Sequence, residues 1–134
     1  QECPPEQIQN AYDNSLRNTD HLLAETVRWL QTLKRPTALV YVSDHGESLG
    51  EKGLYLHGMP YRMAPTEQTH VPMLTWASKP LQQAQGLRLD CLRAQAAQPW
   101  SHDNLFHTIL GLARVGTTAL DGKLDMLAPC TGPT

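Results

Sequence analysis

The stretch ALVYVSDHGE, residues 38–47, decides which fold this chain can adopt. Its first half, Ala38–Val42, is a continuous apolar run that includes β-branched valines, which is typical of a strand buried on both faces in a parallel sheet. Its second half, Ser43–Glu47, consists of polar residues and one glycine. Ligands bind beyond the carboxyl ends of strands in open α/β sheets. The order of the two halves therefore predicts an α/β fold with a site at Asp44 and His45.

The composition indicates a packed globular chain. The chain has 134 residues, of which 40% are hydrophobic and 18% are charged. This length and composition fit one domain or a piece of a larger one. A net charge of −2 provides no basic surface for nucleic acid, so we expect no nucleic-acid partner. No apolar stretch is long enough to span a membrane, and the first residues do not resemble a signal peptide.

A long amphipathic helix is predicted from about Pro5 to Leu33. Apolar and small residues recur there at three- and four-residue intervals, prolines precede it and Pro36 follows it. A helix of roughly 28 residues would be about 42 Å long. That length is large for a chain of this size, and it indicates a larger body against which the helix lies.

The rest of the chain is less regular. Residues 46–70 are rich in glycine, proline and histidine and predict a long functional loop. A second strand is predicted at Val71–Trp76, where the proline favours an edge position or a strand start. Residues 80–99 have weak helical character. A helix with Ser101 as its N-cap is predicted to continue until Gly116, and the tail from Ala128 to Thr134 is predicted to be irregular.

Zinc is the metal that the residue types after the first strand favour. Asp oxygen and His nitrogen are both good zinc ligands, and Asp44 and His45 are adjacent at the end of the strand. An isolated Asp-His pair is more often a turn residue beside a hydrogen-bonded histidine. His57 lies in the long loop that follows and could return to the site, although a lone loop histidine is usually exposed.

Other polar residues have less specific interpretations. Glu47 and Glu51 are acid–base candidates, but solvated loop carboxylates are commoner. We expect His70 to be a hydrogen-bonded residue beneath the site. Three further histidines are interpreted as structural: His21, His102 and His107.

Several long motifs in register give a more specific indication. They are VSDHGESLGE (42–51), LYLHGMPY (54–61), APTEQTHVPM (64–73) and SHDNLFHTILGL (101–112), with shorter matches at 12–15, 19–20 and 128–130. In this order they resemble the phosphoethanolamine–lipid A transferases of the alkaline phosphatase and sulfatase superfamily, and the resemblance covers essentially the whole chain.

The resemblance implies a particular fold and site. The fold would be an alkaline-phosphatase-like α/β/α sandwich with a mostly parallel sheet, of which residues 1–134 are the C-terminal portion. Zinc would be the cofactor, with Asp44 and His45 as ligands, and His57 would contact the phosphoethanolamine group or a second zinc. The threonine nucleophile, further ligands and the transmembrane anchor would belong to segments absent from this chain, so we expect the chain alone to be inactive.

The same resemblance implies the reaction and its location. Phosphoethanolamine would pass from phosphatidylethanolamine to a lipid A phosphate at the periplasmic face of the bacterial inner membrane, and this would give resistance to polymyxin and other cationic peptides. Membrane attachment would come through the missing N-terminal part. Three alternatives stay open: a transferase acting on lipopolysaccharide core sugars, a sulfatase-like hydrolase, and a non-catalytic binding module of the same fold.

The three cysteines are interpreted through that location. Proteins in the oxidising periplasm commonly contain disulfides. We expect Cys91 and Cys130, which flank the Ser101 helix, to pair and to tie the irregular tail to the preceding residues, although three cysteines allow three single bridges. Cys3 would then pair with a cysteine upstream of this chain.

Overall fold

The structure is a computed structural model that describes residues 3–132. The chain divides into two compact units, Gln1–Ala77 and Ser78–Thr134, and each is described by itself. Of the tail predicted to be irregular, Pro133 and Thr134 lie outside the described residues. In chain order the elements of the first unit are α1 (Pro5–Thr32), β1 (Ala38–Val42), β2 (Ser48–Leu49), β3 (Tyr55–Leu56), α2 (Thr66–Thr69) and β4 (Met73–Ala77).

Helix α1 confirms the predicted amphipathic helix. Pro5 occupies its first turn, where a missing N–H costs no hydrogen bond. Several apolar residues at this spacing are half-buried, among them Ile8, Leu23, Val27 and Leu30, yet no residue of the helix is fully buried. Leu22 and Trp29, which lie seven residues apart, are 62% and 60% exposed. In the described part of the chain no helix is both long and apolar enough to cross a membrane.

Strands β1 and β4 form an antiparallel pair, which corrects the expectation of a parallel neighbour for β1. The register joins Ala38 to Ala77 and Val42 to Met73. Parallel strands are usually joined by a crossover helix, whereas residues 43–72 between β1 and β4 contain a hairpin and only the short helix α2. All five β1 residues are half-buried instead of buried. Pro72 immediately precedes β4, as predicted for a strand start.

The region predicted as a long loop contains a small hairpin. Strands β2 and β3 pair antiparallel, with Ser48 opposite Leu56 and Leu49 opposite Tyr55. A short 3₁₀ turn at Glu51–Gly53 connects them. This hairpin reverses the chain soon after the Asp44–His45 dipeptide, so the residues after β3 return toward it.

The second unit contains α3 (Lys79–Gln85), α4 (Leu89–Ala94), α5 (Asp103–Leu112) and a 3₁₀ turn at Ala128–Cys130. A disulfide joins Cys91 in α4 to Cys130 in that turn, with the Cα atoms 5.5 Å apart, which confirms the predicted pairing. Cys130 is fully buried. Cys3 is free and exposed.

Helix α5 is shorter than the sequence predicts at both ends. It begins at Asp103, although the Ser101 hydroxyl still accepts a hydrogen bond from the Asp103 N–H at 3.2 Å. At the other end Arg114 adopts a left-handed conformation with φ of 52°. The N–H groups of Arg114 and Val115 then bond back to the carbonyls of Gly111 and Leu110. This is a Schellman ending, so the helix stops before Gly116 is reached.

A polar stripe on α5 anchors the segment 121–127. The Asn104 amide donates to the Leu124 carbonyl at 3.0 Å, and the fully buried Thr108 hydroxyl accepts from the Met126 N–H at 3.0 Å. A Cβ on Gly111 would lie only 1.9 Å from the Asp125 carboxylate, so glycine allows this close approach. The SHDNLFHTILGL motif therefore specifies how this segment packs on the helix.

Candidate functional site

The hairpin brings His57 onto His45. The centroids of the two imidazole rings are 3.7 Å apart and their planes are inclined by 29°, so the rings stack. Twelve residues separate them in sequence, and the reversal between β2 and β3 closes that distance. The loop histidine thus returns to the polar end of β1, as the sequence analysis considered.

His45 is oriented by its own backbone neighbour. Its Nδ1 lies 2.9 Å from the Gly46 carbonyl oxygen, and a carbonyl can only accept, so Nδ1 carries the proton. The lone pair is then on Nε2, the arrangement usual in metal-binding histidines. Nε2 lies 3.7 Å from the Asp44 carboxylate, whose side chain is 89% exposed.

Glu47, one of the two acid–base candidates, is not a fully solvated loop carboxylate. Its side chain is only 22% exposed, and its Oε2 lies 3.2 Å from Nδ1 of His57. Its Oε1 is buried and has no hydrogen-bond partner among residues 3–132. Ligand atoms of His45, Glu47 and His57 all lie within 4.8 Å of one another. We refer to these three residues as the His–Glu cluster. Asp44 lies beside this cluster without belonging to it.

Gln68 holds the hairpin that carries His57. Its side chain is 6% exposed, and its amide donates to the Ser48 hydroxyl at 2.9 Å and to the Leu56 carbonyl at 3.1 Å. These acceptors belong to β2 and β3, so one side chain bonds both strands. Gln68 lies in the APTEQTHVPM motif, but a glutamine in a loop carries no signal of its own that would assign it this role.

Gly46 allows the α2 backbone to approach the site. Its N–H donates to the Gln68 carbonyl at 2.9 Å, and a Cβ at this position would lie 2.0 Å from the Glu67 carbonyl oxygen. Any side chain would therefore push the backbone at Glu67 and Gln68 away. The glycine in the Asp-His-Gly-Glu motif is thus required by packing.

The backbone on either side of His57 is in the left-handed region. Leu56 has φ of 65° and Gly58 has φ of 103°. Leucine rarely adopts this conformation, which costs roughly 1–2 kcal/mol per residue. Backbone strain of this kind is concentrated at functional sites, where the surrounding structure maintains it. Here the hydrogen bond from Gln68 to the Leu56 carbonyl helps to maintain it.

Three other polar residues lie outside the His–Glu cluster. Glu51 Oε2 accepts from the Leu49 N–H at 2.8 Å within the hairpin turn, so this carboxylate is structural. His70 is exposed just after α2, where its backbone N–H donates to the Thr66 carbonyl. His107, interpreted as structural, accepts from the Asp121 N–H through Nδ1 at 3.0 Å, which agrees with that interpretation.

The donor set of this region suits a divalent metal ion and an anionic ligand. Two imidazoles and two carboxylates are ligand types that zinc prefers. Zinc–ligand distances of about 2.0–2.1 Å place tetrahedral donor atoms roughly 3.3 Å apart. The separation of 3.7 Å between His45 Nε2 and the Asp44 carboxylate is close to that value. The buried, unpaired Oε1 of Glu47 is the kind of atom that a nearby cation would satisfy.

The chain is similar to known proteins over nearly its whole length. The sulfatase family profile matches residues 1–115. A phosphoethanolamine transferase, EptA, from Salmonella typhimurium is 47% identical over 133 residues, which are 97% of this chain and 24% of that protein. The phosphatidylethanolamine transferase Mcr-1 from Escherichia coli is 51% identical over 79 residues, which are 58% of this chain and 15% of that protein. The chain therefore spans about a quarter or less of the length of these relatives.

Solved structures have the same fold. One is the integral membrane protein lipooligosaccharide phosphoethanolamine transferase A from Neisseria meningitidis, which superimposes with a TM-score of 0.93 at 40% sequence identity. The match covers 98% of this chain and 25% of that protein. The C-terminal periplasmic domain of the phosphoethanolamine transferase EptC from Campylobacter jejuni gives a TM-score of 0.85 at 40% identity, covering 99% of this chain and 42% of that domain.

Proposed function

Because the chain belongs to the sulfatase family and its curated relatives are phosphoethanolamine transferases, we propose that it is part of an enzyme that transfers phosphoethanolamine. The donor is phosphatidylethanolamine and the acceptor is a phosphate of lipid A. Modification of that acceptor reduces its negative charge and thereby gives resistance to polymyxin and other cationic peptides. The observation that carries the proposal is the stacking of His57 on His45 beside the half-buried carboxylate of Glu47.

Zinc is the proposed cofactor, and the residues present fit it. Asp44 and His45 are the ligands, His45 through the Nε2 that its bond to Gly46 leaves without a proton. When bound, zinc supplies Lewis-acid stabilisation of negative charge on the phosphoryl group. The unpaired Oε1 of Glu47 supports the presence of a cation near this position.

His57 is the proposed catalytic residue of this chain. An ionised Glu47 can only accept a hydrogen bond, so the contact at 3.2 Å holds a proton on Nδ1 of His57. The other ring nitrogen, Nε2, then faces the phosphoethanolamine group of the donor. Glu47 acts through His57 by fixing the tautomer and the plane of the ring. Stacking on His45 restricts rotation of the ring further.

The rest of the enzyme supplies what this chain lacks. The nucleophilic threonine and further zinc ligands lie in the remaining three-quarters of the protein, and this chain alone is inactive. The same part supplies strands that pair with β1 and complete a mostly parallel sheet in an α/β/α sandwich, of which residues 1–134 are the C-terminal portion. It also supplies the membrane anchor, so that the site faces the periplasm at the inner membrane. The periplasmic domain named in one structural relative supports this location.

Metal content and transfer activity test the proposal in the complete enzyme. Asp44→Ala and His45→Ala should each lower the zinc content and abolish transfer from phosphatidylethanolamine vesicles to lipid A. His21→Ala, which changes an exposed histidine of α1, is the matched control and should retain both. Wild-type zinc content and activity in the Asp44 and His45 variants would refute the assignment.

A further inference from the structure

The segment around His57 exposes large apolar side chains. Tyr61 is 85% exposed, Met63 is 68% exposed and Leu56 is 62% exposed. Among the described residues, Tyr61 and Met63 are the two most exposed large hydrophobic side chains. Burial of such a side chain is worth about 1.5–3 kcal/mol. A group of them in one segment therefore marks an interaction surface.

This exposure is built into a segment with fixed hydrogen bonds. Gln68 holds the Leu56 carbonyl at one end of the segment. At the other end, the N–H groups of Met63 and Ala64 both bond to the Pro60 carbonyl, at 2.7 and 2.9 Å. The turn presents Tyr61 and Met63 outward on a defined backbone. We call residues 56–63 the apolar loop.

The charge of the surrounding sequence selects the partner. Residues 52–63 contain two basic residues, Lys52 and Arg62, and no aspartate or glutamate, although the whole chain has a net charge of −2. Both basic residues are exposed. Tyrosine beside arginine and apolar side chains is the composition found at the boundary between lipid headgroups and acyl chains. Lipid phosphates match the positive charge of this loop better than a neutral protein surface would.

We propose that the apolar loop rests on a lipid bilayer, with Tyr61 and Met63 in the headgroup region and Arg62 on lipid phosphates. The proposal rests on the proposed function, because a phospholipid donor must reach the site. His57 belongs to the same loop and follows Leu56 directly. Contact of this loop with the bilayer brings His57 to the depth of the phosphates, so the donor's acyl chains remain in the membrane while its headgroup enters the site.

Vesicle binding by the 134-residue chain tests this surface. The chain should sediment with vesicles of phosphatidylethanolamine containing a minority of phosphatidylglycerol. Serine at both Tyr61 and Met63 should weaken binding by about tenfold or more. The matched control places serine at Leu22 and Trp29, which are similarly exposed on α1, and should leave binding unchanged. Tyr61→Trp should retain binding and should add fluorescence that phospholipids brominated in their acyl chains quench.

Each outcome decides the question. Absence of vesicle binding, or an equal loss in both serine pairs, would overturn the proposal. The wild-type chain has three tryptophans of its own, so quenching no greater in the Tyr61→Trp variant than in the wild type would overturn it as well. A second set of vesicles, in which phosphatidylcholine replaces phosphatidylethanolamine, tests the membrane surface independently of the proposed function, because these vesicles contain no donor lipid. Binding of the chain should persist on them. Persistent binding of the chain, together with no transfer of phosphoethanolamine by the complete enzyme, would refute the function and keep the surface.

Discussion

Replacement of Gln68 by alanine should release the hairpin that carries His57. The side-chain amide is buried and donates to the Ser48 hydroxyl and the Leu56 carbonyl, at 2.9 and 3.1 Å. Alanine removes both bonds and leaves two acceptors without this donor, one of them on Ser48, which is only 1% exposed. The hairpin pairs over only two residues on each side, so little else holds it closed.

The expected cost follows from those two bonds. A hydrogen bond contributes about 0.5–1.5 kcal/mol net, and a buried group that is left unpaired costs more. We therefore expect the local opening of the hairpin to become easier by about 2 kcal/mol. At 1.4 kcal/mol per factor of ten, that corresponds to roughly 30-fold faster amide hydrogen exchange. The amides to follow are those of Gly53 and Leu54, which bond within the hairpin turn.

The matched control is Gln85→Ala. Gln85 is also buried, and its amide donates to the Leu112 carbonyl at 2.7 Å in the other unit. This variant should accelerate amide exchange at the end of α5. The exchange rates of Gly53 and Leu54 should stay within about twofold of wild type, because substitutions at distant sites act independently. Gln68→Glu keeps the shape but loses the donor, so it should behave like Gln68→Ala. Wild-type exchange in the hairpin of either Gln68 variant would refute the reasoning.

Three further predictions concern packing, the disulfide and catalysis. Gly46→Ala should destabilise the chain by about 1–3 kcal/mol in urea unfolding, because the new Cβ would lie 2.0 Å from the Glu67 carbonyl oxygen. The control Gly116→Ala should be neutral, because a Cβ there meets no atom within 4 Å. Equal unfolding midpoints for the two variants would contradict this prediction. Cys91→Ala removes a disulfide whose cysteines are 39 residues apart in sequence, and it should lower the free energy of unfolding by about 4 kcal/mol. The unfolding midpoint of this variant should no longer change when a reductant is added. In the complete enzyme, His57→Ala should keep the thermal midpoint and lose transfer; a lower midpoint with unchanged turnover per folded molecule would make His57 structural.

Much of the first unit could be predicted from local patterns. The periodicity of α1 and the apolar run of β1 both reflect short-range rules, and both elements were found within a residue of the predicted bounds. The partner of β1 could not be predicted in the same way. A continuous apolar run favours a parallel neighbour, but the neighbour depends on what the connection contains, and here the connection contains a hairpin in place of a crossover helix.

The cluster was only half predictable for a related reason. The position of His45 follows from β1, and His57 was a candidate from its loop. Glu47 was undervalued because its burial depends on a two-residue strand pairing that no sequence period reveals. The end of α5 was misplaced because Arg114, and not a glycine, adopts the left-handed conformation there.

The bridge between Cys91 and Cys130 has a consequence for biosynthesis. Ribosomes synthesise Cys3 and Cys91 before Cys130, so the thiol of Cys91 is available before its partner. During that interval an oxidase can join it to the wrong thiol, and Cys3 is the other one in these 134 residues. Because Cys130 ends fully buried, its pairing must also precede closure of the surrounding residues. If the chain matures in an oxidising compartment, an early bond between Cys3 and Cys91 would therefore have to be reopened before the native bridge could form.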